Sequence, residues 1–230
     1  MTTEKKILKH SLIFPIFFVF IIWMVKLYEE AFGISMVSLG IYPLKAEGLI
    51  GIITSPLIHA DFKHLYANTF PLLTLSIGIF YFYRKIAYKI FFLSYFLTGL
   101  WLWFGATSQG YHIGASGLVY AFASFLFFSG AIRNDIRLLA LSLIITFLYG
   151  GMIWGIFPLK PGVSWESHLL GGIAGLILAI YYRKQGPARI KYEWEEDDDD
   201  DDHDDTGYYF PDFDAPPDDM KYIYREEEEE

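Results

Sequence analysis

Six apolar runs occupy most of residues 1–185, and each is about as long as a helix that crosses a membrane. A transmembrane helix needs about 20 mostly apolar residues, because the hydrocarbon core of a bilayer is roughly 30 Å thick. In lipid, every backbone N–H and C=O group must be paired within the protein, and a helix achieves this within one segment. The sequence therefore predicts an all-α membrane protein built as a bundle of six transmembrane helices. The predicted spans are residues 9–28, 63–83, 87–106, 113–132, 136–157 and 166–182.

Positively charged residues are distributed unevenly between the two sides of these spans. If successive spans alternate in direction, 12 of the Lys and Arg residues up to position 191 lie on the side of the N-terminus and only four lie on the other side. Loops rich in Lys and Arg stay in the cytoplasm. The pattern predicts a multi-pass protein with both termini in the cytoplasm, where residues 1–8 form the N-terminal segment. We expect its location to be the cytoplasmic (inner) membrane of a bacterium.

The end of the chain has a different composition from the predicted bundle. Residues 193–230 hold 20 Asp and Glu against two cations, a net charge of -18, so the total of -9 leaves +9 for residues 1–192. A segment this acidic cannot bury enough apolar surface to fold alone. We predict a disordered, low-complexity cytoplasmic tail at 186–230 after a membrane domain at 9–185. Nucleic acid is excluded as a partner because the tail would repel its phosphates.

Ser116 and His168 are the polar residues that say most about function. Ser116 lies roughly 4.5 Å from the start of the fourth predicted span, at ~1.5 Å per helical residue, and His168 lies near the start of the sixth. An ionisable side chain in a membrane span is costly, so it is by default functional and has a partner. A neutral imidazole can act as the general base that activates a serine hydroxyl. The pair predicts a serine protease within the membrane.

Two further polar residues, His64 and Asn68, open the second predicted span. In the predicted orientation the second, fourth and sixth spans all begin near the outer surface, so these two residues lie at the same shallow depth as Ser116 and His168. Residues four apart share one face of a helix. Asn68 therefore supplies an amide donor, and the start of the fourth helix supplies backbone N–H groups, close to the point where an oxyanion would form.

Three short motifs lie on alternate predicted helices. They are His64-Leu-Tyr-Ala-Asn68, then Gly114-Ala-Ser-Gly117 with Tyr120, and then His168-x-x-Gly171-x-x-x-Gly175. In order and spacing these motifs resemble the rhomboid family of intramembrane serine proteases, over roughly residues 9–183. The resemblance implies a six-helix bundle in which Ser116 is the nucleophile and His168 the general base, with no third carboxylate. It is weakest in the first external loop, residues 29–62, which lacks the Trp-Arg pair that many members carry.

The resemblance also implies roles for the residues around this pair. His64, Asn68 and the backbone N–H of Ser116 would stabilise the oxyanion, and Tyr120 would pack against the ring of His168. The substrates would be single-span membrane proteins in the lipid bilayer, cut in or near their transmembrane helices.

Glycines on the sixth predicted span favour a close contact between helices. Gly171 and Gly175 form a G-x-x-x-G pattern, which lets two membrane helices approach each other closely. Packed against the small residues from Gly114 to Gly117 on the fourth span, they would bring His168 within hydrogen-bond range of the serine.

Two interpretations other than a protease stay open, since each motif taken singly also fits ordinary helix packing. One is a non-catalytic rhomboid-like protein that binds transmembrane helices. The other is a transporter or channel, which is less favoured because the spans show no inverted repeat and no chain of charged residues.

Other protease chemistries lack their residues in this sequence. No His-Glu-x-x-His motif is present for a metalloprotease. Asp61 and Asp135 are the only aspartates before the tail, and both lie at span ends rather than inside the membrane. The chain has no cysteine, which excludes a thiol nucleophile, a disulfide framework and thiolate metal ligands. We expect no metal or other cofactor and assign no role to His59 and His112, because histidines are common in loops.

Overall fold

The computed structural model describes residues 3–149, 151–159 and 162–187, and within these ranges the chain forms eight α-helices. The all-α prediction is confirmed for this part of the chain. The tail predicted at 186–230 lies outside the described residues apart from its first two. The helices are α1 (Thr3–Phe32), α2 (Gly51–Thr54), α3 (Phe62–Phe82), α4 (Ala87–Gly105), α5 (Ser116–Arg133), α6 (Ile136–Leu148), α7 (Gly151–Gly155) and α8 (Trp165–Tyr181).

Four of these helices, α1, α3, α4 and α5, are long and apolar enough to cross a membrane, counted over the described residues. Helices α6 and α8 are also apolar but have only 13 and 17 residues. The chain is thus a multi-pass membrane protein by helix length and composition, whereas the count of six spans stays a prediction. The predicted fifth span differs most, because the structure divides it between α6 and α7. Helix α6 ends at Leu148 and α7 begins at Gly151, and glycine is a poor helix former.

Helix α5 lies at the centre of the bundle, in contact with α3, α4, α6 and α8. Its apolar side chains Phe122, Phe125 and Leu126 are completely buried. Large apolar side chains also cover the outside of the bundle: Phe147 is 84% exposed and Tyr181 is 74% exposed. An apolar exterior of this kind suits contact with lipid rather than with water.

Glycines bring α5 and α8 unusually close together. A Cβ atom at Gly171 would overlap the backbone of Gly117, lying 2.9 Å from its carbonyl carbon. One turn further along, a Cβ atom at Gly175 would overlap the carbonyl oxygen of Ala121 and lie 2.8 Å from the backbone nitrogen of Phe125. Because the atoms in the way are backbone, they cannot rotate aside as a side chain would. The distance between these two helices is therefore fixed by the absence of a side chain at both positions.

We expect Gly171→Ala to destabilise the protein and Gly172→Ala to leave it unchanged or stabilise it. The adjacent Gly172 has no atom within 4 Å of the place where its Cβ would lie, so there alanine contributes only its better helix propensity, about 1 kcal/mol. At Gly171 the overlap with backbone forces the helices apart, and overpacking of this kind costs about 1–3 kcal/mol. Thermal unfolding of both variants in the same detergent measures the difference. Equal melting temperatures would show that α5 and α8 do not need this contact.

The segment between α1 and α3, which was predicted to be the first external loop and lacks a Trp-Arg pair, is anchored by hydrogen bonds to its backbone. Trp103 of α4 donates from Nε1 to the carbonyl of Lys45 at 3.0 Å and accepts at its own carbonyl from the N–H of Leu44, also at 3.0 Å. Further along, Ile41 and His112 form an antiparallel bridge with N···O distances of 2.9 and 2.7 Å. The loop is thereby attached both to α4 and to the segment that precedes α5.

Candidate active site

Ser116 is the first residue of α5, and the residues before it explain why the helix begins there. The predicted span started at residue 113, but Gly114 has φ +107°, which no helix accommodates. A Cβ atom at Gly114 would also lie 2.7 Å from Cε1 of His64. Both the backbone angle and the contact with His64 therefore require glycine at this position. Ser116 is therefore at the helix terminus rather than inside the helix. There the first backbone N–H groups have no partner within the helix, and the positive end of the helix dipole is nearby.

The side chains of Ser116 and His168 are joined by a hydrogen bond. Ser116 Oγ and His168 Nε2 are 2.7 Å apart, and His168 Nδ1 lies 2.8 Å from the carbonyl oxygen of Gly155. Since a carbonyl can only accept, Nδ1 must carry the ring proton of a neutral imidazole. Nε2 is then the free acceptor, and the serine hydroxyl donates to it. This is the tautomer that a general base for Ser116 requires.

Tyr120 holds the ring of His168 from the side. The two rings are stacked, with centroids 4.3 Å apart and planes 9° from parallel. Gly155 lies against the Nδ1 edge of the imidazole. A Cβ atom at Gly155 would overlap the hydroxyl of Tyr120 and lie 3.0 Å from His168 Nδ1. The imidazole is thus fixed by one stacked ring and one backbone carbonyl. The sequence did not identify Gly155 as a site residue, although the three glycines between residues 149 and 155 are an unusual feature of an apolar helix.

His64 and Asn68 face the same cavity as Ser116 and His168. This cavity is about 870 Å³ and is lined by all four residues and by Tyr120. Asn68 is almost fully buried, and one of its amide hydrogens is donated to the carbonyl of His64 at 3.1 Å. Among the residues that the structure describes, no group of three His, Asp or Glu is placed to hold a metal ion. The arrangement brings a hydroxyl, a base and a side-chain amide donor around one cavity.

His59, to which the sequence assigned no role, is fully buried next to His64, which lines this cavity. Its Nε2 accepts from the backbone N–H of Ala115 at 3.5 Å, and its ring lies 5.0 Å from that of His64 between centroids. Burial, and secondarily the neighbouring His64, lower the pKa of His59 from its usual 6.5 to about 3. The folded protein therefore holds this ring in its neutral form.

We expect the buried His59 to make the protein less stable as the pH falls. The unfolded chain takes up a proton on this ring near pH 6.5, whereas the folded protein does so only near pH 3. The contribution to stability is thus complete above pH 6.5 and is lost as the pH falls from 6.5 towards 3. Melting temperatures of the parent and of His59→Gln, measured between pH 7 and pH 4, test this. The variant should show the smaller decrease; parallel curves would contradict the prediction.

Comparison with known proteins places this multi-pass bundle in a family. The family model for the Rhomboid domain matches residues 46–185. An uncharacterized protein of Mycobacterium tuberculosis (strain H37Rv) is 35% identical over 185 residues, which cover 75% of this chain and 74% of that protein. An uncharacterized protein of Mycobacterium leprae is 32% identical over 184 residues, which cover 75% of this chain and 70% of the relative. The chain belongs to the rhomboid family, whose members are generally intramembrane serine proteases with membrane-embedded protein substrates.

Proposed function

We propose that this protein is an intramembrane serine endopeptidase that hydrolyses peptide bonds in or near the transmembrane helices of single-span membrane proteins. Ser116 is the nucleophile and His168 is the general base. The observation that carries the proposal is the 2.7 Å contact between Ser116 Oγ and His168 Nε2, with the other ring nitrogen bound to a backbone carbonyl. An apolar helix that served only as a packing surface would not need a histidine held in one tautomer.

The geometry supports a two-step acyl transfer. As Ser116 Oγ attacks the scissile carbonyl carbon, its proton passes to His168 Nε2, which then gives it to the departing amine when the C–N bond breaks. Water next attacks the acyl-serine ester, with His168 again taking and returning a proton. The transient imidazolium is stabilised by the Gly155 carbonyl at Nδ1 and by the aromatic face of Tyr120. No carboxylate is needed to orient the ring, since Gly155 does so.

The negative charge on the substrate oxygen needs donors, and the start of α5 provides the first. The backbone N–H of Ser116 lies at the helix terminus, and the side chains of Asn68 and His64 line the same cavity. Donors held in place stabilise the oxyanion without having to reorganise. We assign Asn68 and His64 to this role.

We expect Asn68→Ala to slow cleavage by roughly tenfold to a thousandfold, the usual effect of losing one oxyanion donor. The loss should appear in kcat, because the bond to Asn68 forms only as the oxyanion develops. A matched control is Thr69→Ala on the next position of α3, where the hydroxyl accepts from Trp23 Nε1 at 3.1 Å. That variant should keep the parent kcat. An Asn68→Ala protein with unchanged kcat would remove Asn68 from the site.

The substrate segment is proposed to enter between α3 and α6. Pro71 of α3 lines the cavity from one side, and Leu148 and Tyr149 line it from the other. Phe70 and Tyr149 stack across this boundary, with ring centroids 5.9 Å apart. With both termini in the cytoplasm, as Lys and Arg placement predicts, cleavage would occur near the outer face of the membrane. The product would be the external part of the substrate.

The proposal is tested with purified protein and a model single-span substrate in liposomes, together with a fluorophosphonate probe that reacts with activated serines. We expect cleavage of the substrate and labelling at Ser116, located by mass spectrometry of the labelled peptide. Labelling without cleavage would mean that the substrate is unsuitable. A folded protein that neither cleaves nor labels would favour the non-catalytic interpretation, in which the same cavity binds transmembrane helices.

A further inference from the structure

Glu166, in the first turn of α8, is a buried carboxylate that receives hydrogen bonds from a single loop. It is 5% exposed. Its Oε1 accepts from the backbone N–H of Thr107 at 2.6 Å, from the hydroxyl of Thr107 at 2.9 Å and from the backbone N–H of Ser108 at 3.1 Å. Its Oε2 accepts from the hydroxyl of Ser108. A buried charge is tolerated only when it is satisfied in this way. Glu166 therefore binds the loop between α4 and α5 to the start of α8.

His112 extends this contact across the same loop. Its Nε2 lies 3.3 Å from the hydroxyl oxygen of Ser108, and its Nδ1 lies 2.6 Å from the hydroxyl oxygen of Ser164, just before α8. The ring is 7% exposed. We call the four side chains Ser108, His112, Ser164 and Glu166 the polar clasp. The clasp joins the α4–α5 loop to α8 at both of its ends.

While Glu166 is ionised, the hydrogen bonds of the clasp can be donated in only one direction. The single hydroxyl hydrogen of Ser108 goes to the carboxylate, so Ser108 must accept from His112, and His112 Nε2 must carry the ring proton. Nδ1 is then an acceptor, and Ser164 donates to it. Burial lowers the pKa of His112, which favours this neutral ring at pH 7. The order of donation is Ser164, His112, Ser108, Glu166.

The two ends of the clasp lie next to the two proposed reacting residues. His112 precedes Ser116 by four residues, and Glu166 precedes His168 by two. We propose that Glu166 and His112 are positioning residues, which hold the segment before Ser116 against the first turn of α8 and so keep the serine at reacting distance from His168. This inference rests on the proposed function. The sequence contained no signal for it, because Glu166 forms its bonds with residues about 58 positions away.

Other contacts still attach the same segment to the rest of the protein when the clasp is lost. Removing the clasp should therefore shift the serine slightly without unfolding the protein. The backbone N–H of Gly114 donates to the carbonyl of Ser55 at 2.8 Å, and His112 is bridged to Ile41 through its backbone. The glycine contacts between α5 and α8 are also independent of it. A displacement of about 1 Å at a reacting group is enough to slow catalysis by roughly a hundredfold.

The kinetic test compares Glu166→Ala, Glu166→Gln and the control Glu47→Ala, which removes an exposed carboxylate from the first external loop. We expect Glu166→Ala to lower kcat by roughly tenfold to a hundredfold with little change in KM. Glu47→Ala should match the parent. Glutamine at 166 can accept the loop N–H groups through its oxygen and donate to Ser108 through its amide, so its kcat should fall by no more than about fivefold. An unchanged kcat in Glu166→Ala, or a loss explained by unfolding, would overturn the proposal.

The tautomer of His112, that is, which ring nitrogen carries the proton, tests the clasp independently of proteolytic activity. In the parent, nitrogen NMR of histidine-labelled protein should show the Nε2–H tautomer for His112, with the signal assigned by its disappearance in His112→Gln. In Glu166→Gln the direction of donation reverses, and we expect the Nδ1–H tautomer. Finding the Nδ1–H form in the parent would overturn the proposal even if Glu166→Ala failed to fold.

The two proposals fail in different ways. If the parent neither cleaves substrate nor labels with the fluorophosphonate, the proposed protease function fails, while the tautomer of His112 still reports whether the clasp exists. If the parent is active and Glu166→Ala is equally active, the protease function stands and the positioning role is wrong.

Discussion

Ser116→Ala is expected to abolish proteolysis and to leave the fold intact. The substitution removes the oxygen that would attack the substrate and, with it, the hydrogen bond to His168 Nε2. Alanine is well accepted in the first turn of a helix, so α5 should still begin at residue 116. Removing a catalytic serine lowers turnover by at least about ten-thousandfold, because the rest of the site offers no substitute nucleophile. Cleavage of a single-span substrate in liposomes, with parent and variant at equal concentration, measures the loss.

A serine on the same helix provides the control for this variant. Ser124 lies two turns further along α5 and donates to the carbonyl of Gly172 on α8 at 2.6 Å. Ser124→Ala therefore removes a hydroxyl from the same pair of helices but from outside the cavity, and it should cleave at the parent rate. If Ser116→Ala retained activity, another group would be the nucleophile and the proposed mechanism would be wrong.

His168→Ala is expected to slow cleavage by about a thousandfold or more, because the serine loses its base while keeping its position. The substitution also leaves a ring-sized space beside Tyr120, lined by the Gly155 carbonyl and the serine hydroxyl. Free imidazole fits such a space and can accept the proton, so adding it should restore part of the activity. Single-turnover cleavage with increasing imidazole concentration measures this recovery. A purely structural role for His168 would predict no recovery.

The control for His168→Ala is His10→Ala, which removes an exposed imidazole from α1. It should show parent activity with and without imidazole. Melting temperatures of both variants separate lost chemistry from lost stability. If His168→Ala cleaved at the parent rate while folded, a different residue would serve as the base.

The proposed reacting residues could be predicted from sequence because each is a costly exception in an apolar run. A serine and a histidine at the starts of alternate spans have few explanations other than a shared cavity. The exact start of α5 could not be predicted in the same way, since hydropathy does not register the backbone conformation of Gly114. The span boundaries were predicted by counting apolar residues. Ile113 and Gly114 both count as apolar, so the predicted span began before the serine.

The clasp and the Gly155 contact could not be predicted, for a different reason. Glu166 and His112 are ordinary loop and helix-end residues until the chain brings positions about 58 residues apart within hydrogen-bond distance. Gly155 acts through its carbonyl, a group that every residue has, so no pattern of side chains could reveal it. Long-range pairing and backbone chemistry are the two parts of this site that only three-dimensional structure supplies.

The hydrogen bond from His168 to Gly155 has a consequence for the order of events. Gly155 belongs to α7, which follows α6 on the side where the cavity meets Tyr149. Ser116 and His168 lie instead on α5 and α8, which the glycines hold at a fixed separation. Any outward movement of α7 that widened the cavity would also release the imidazole. In the proposed mechanism, an arriving peptide would then meet a serine without its oriented base, and the bond could be cut only after α7 had returned, which would separate entry from hydrolysis in time.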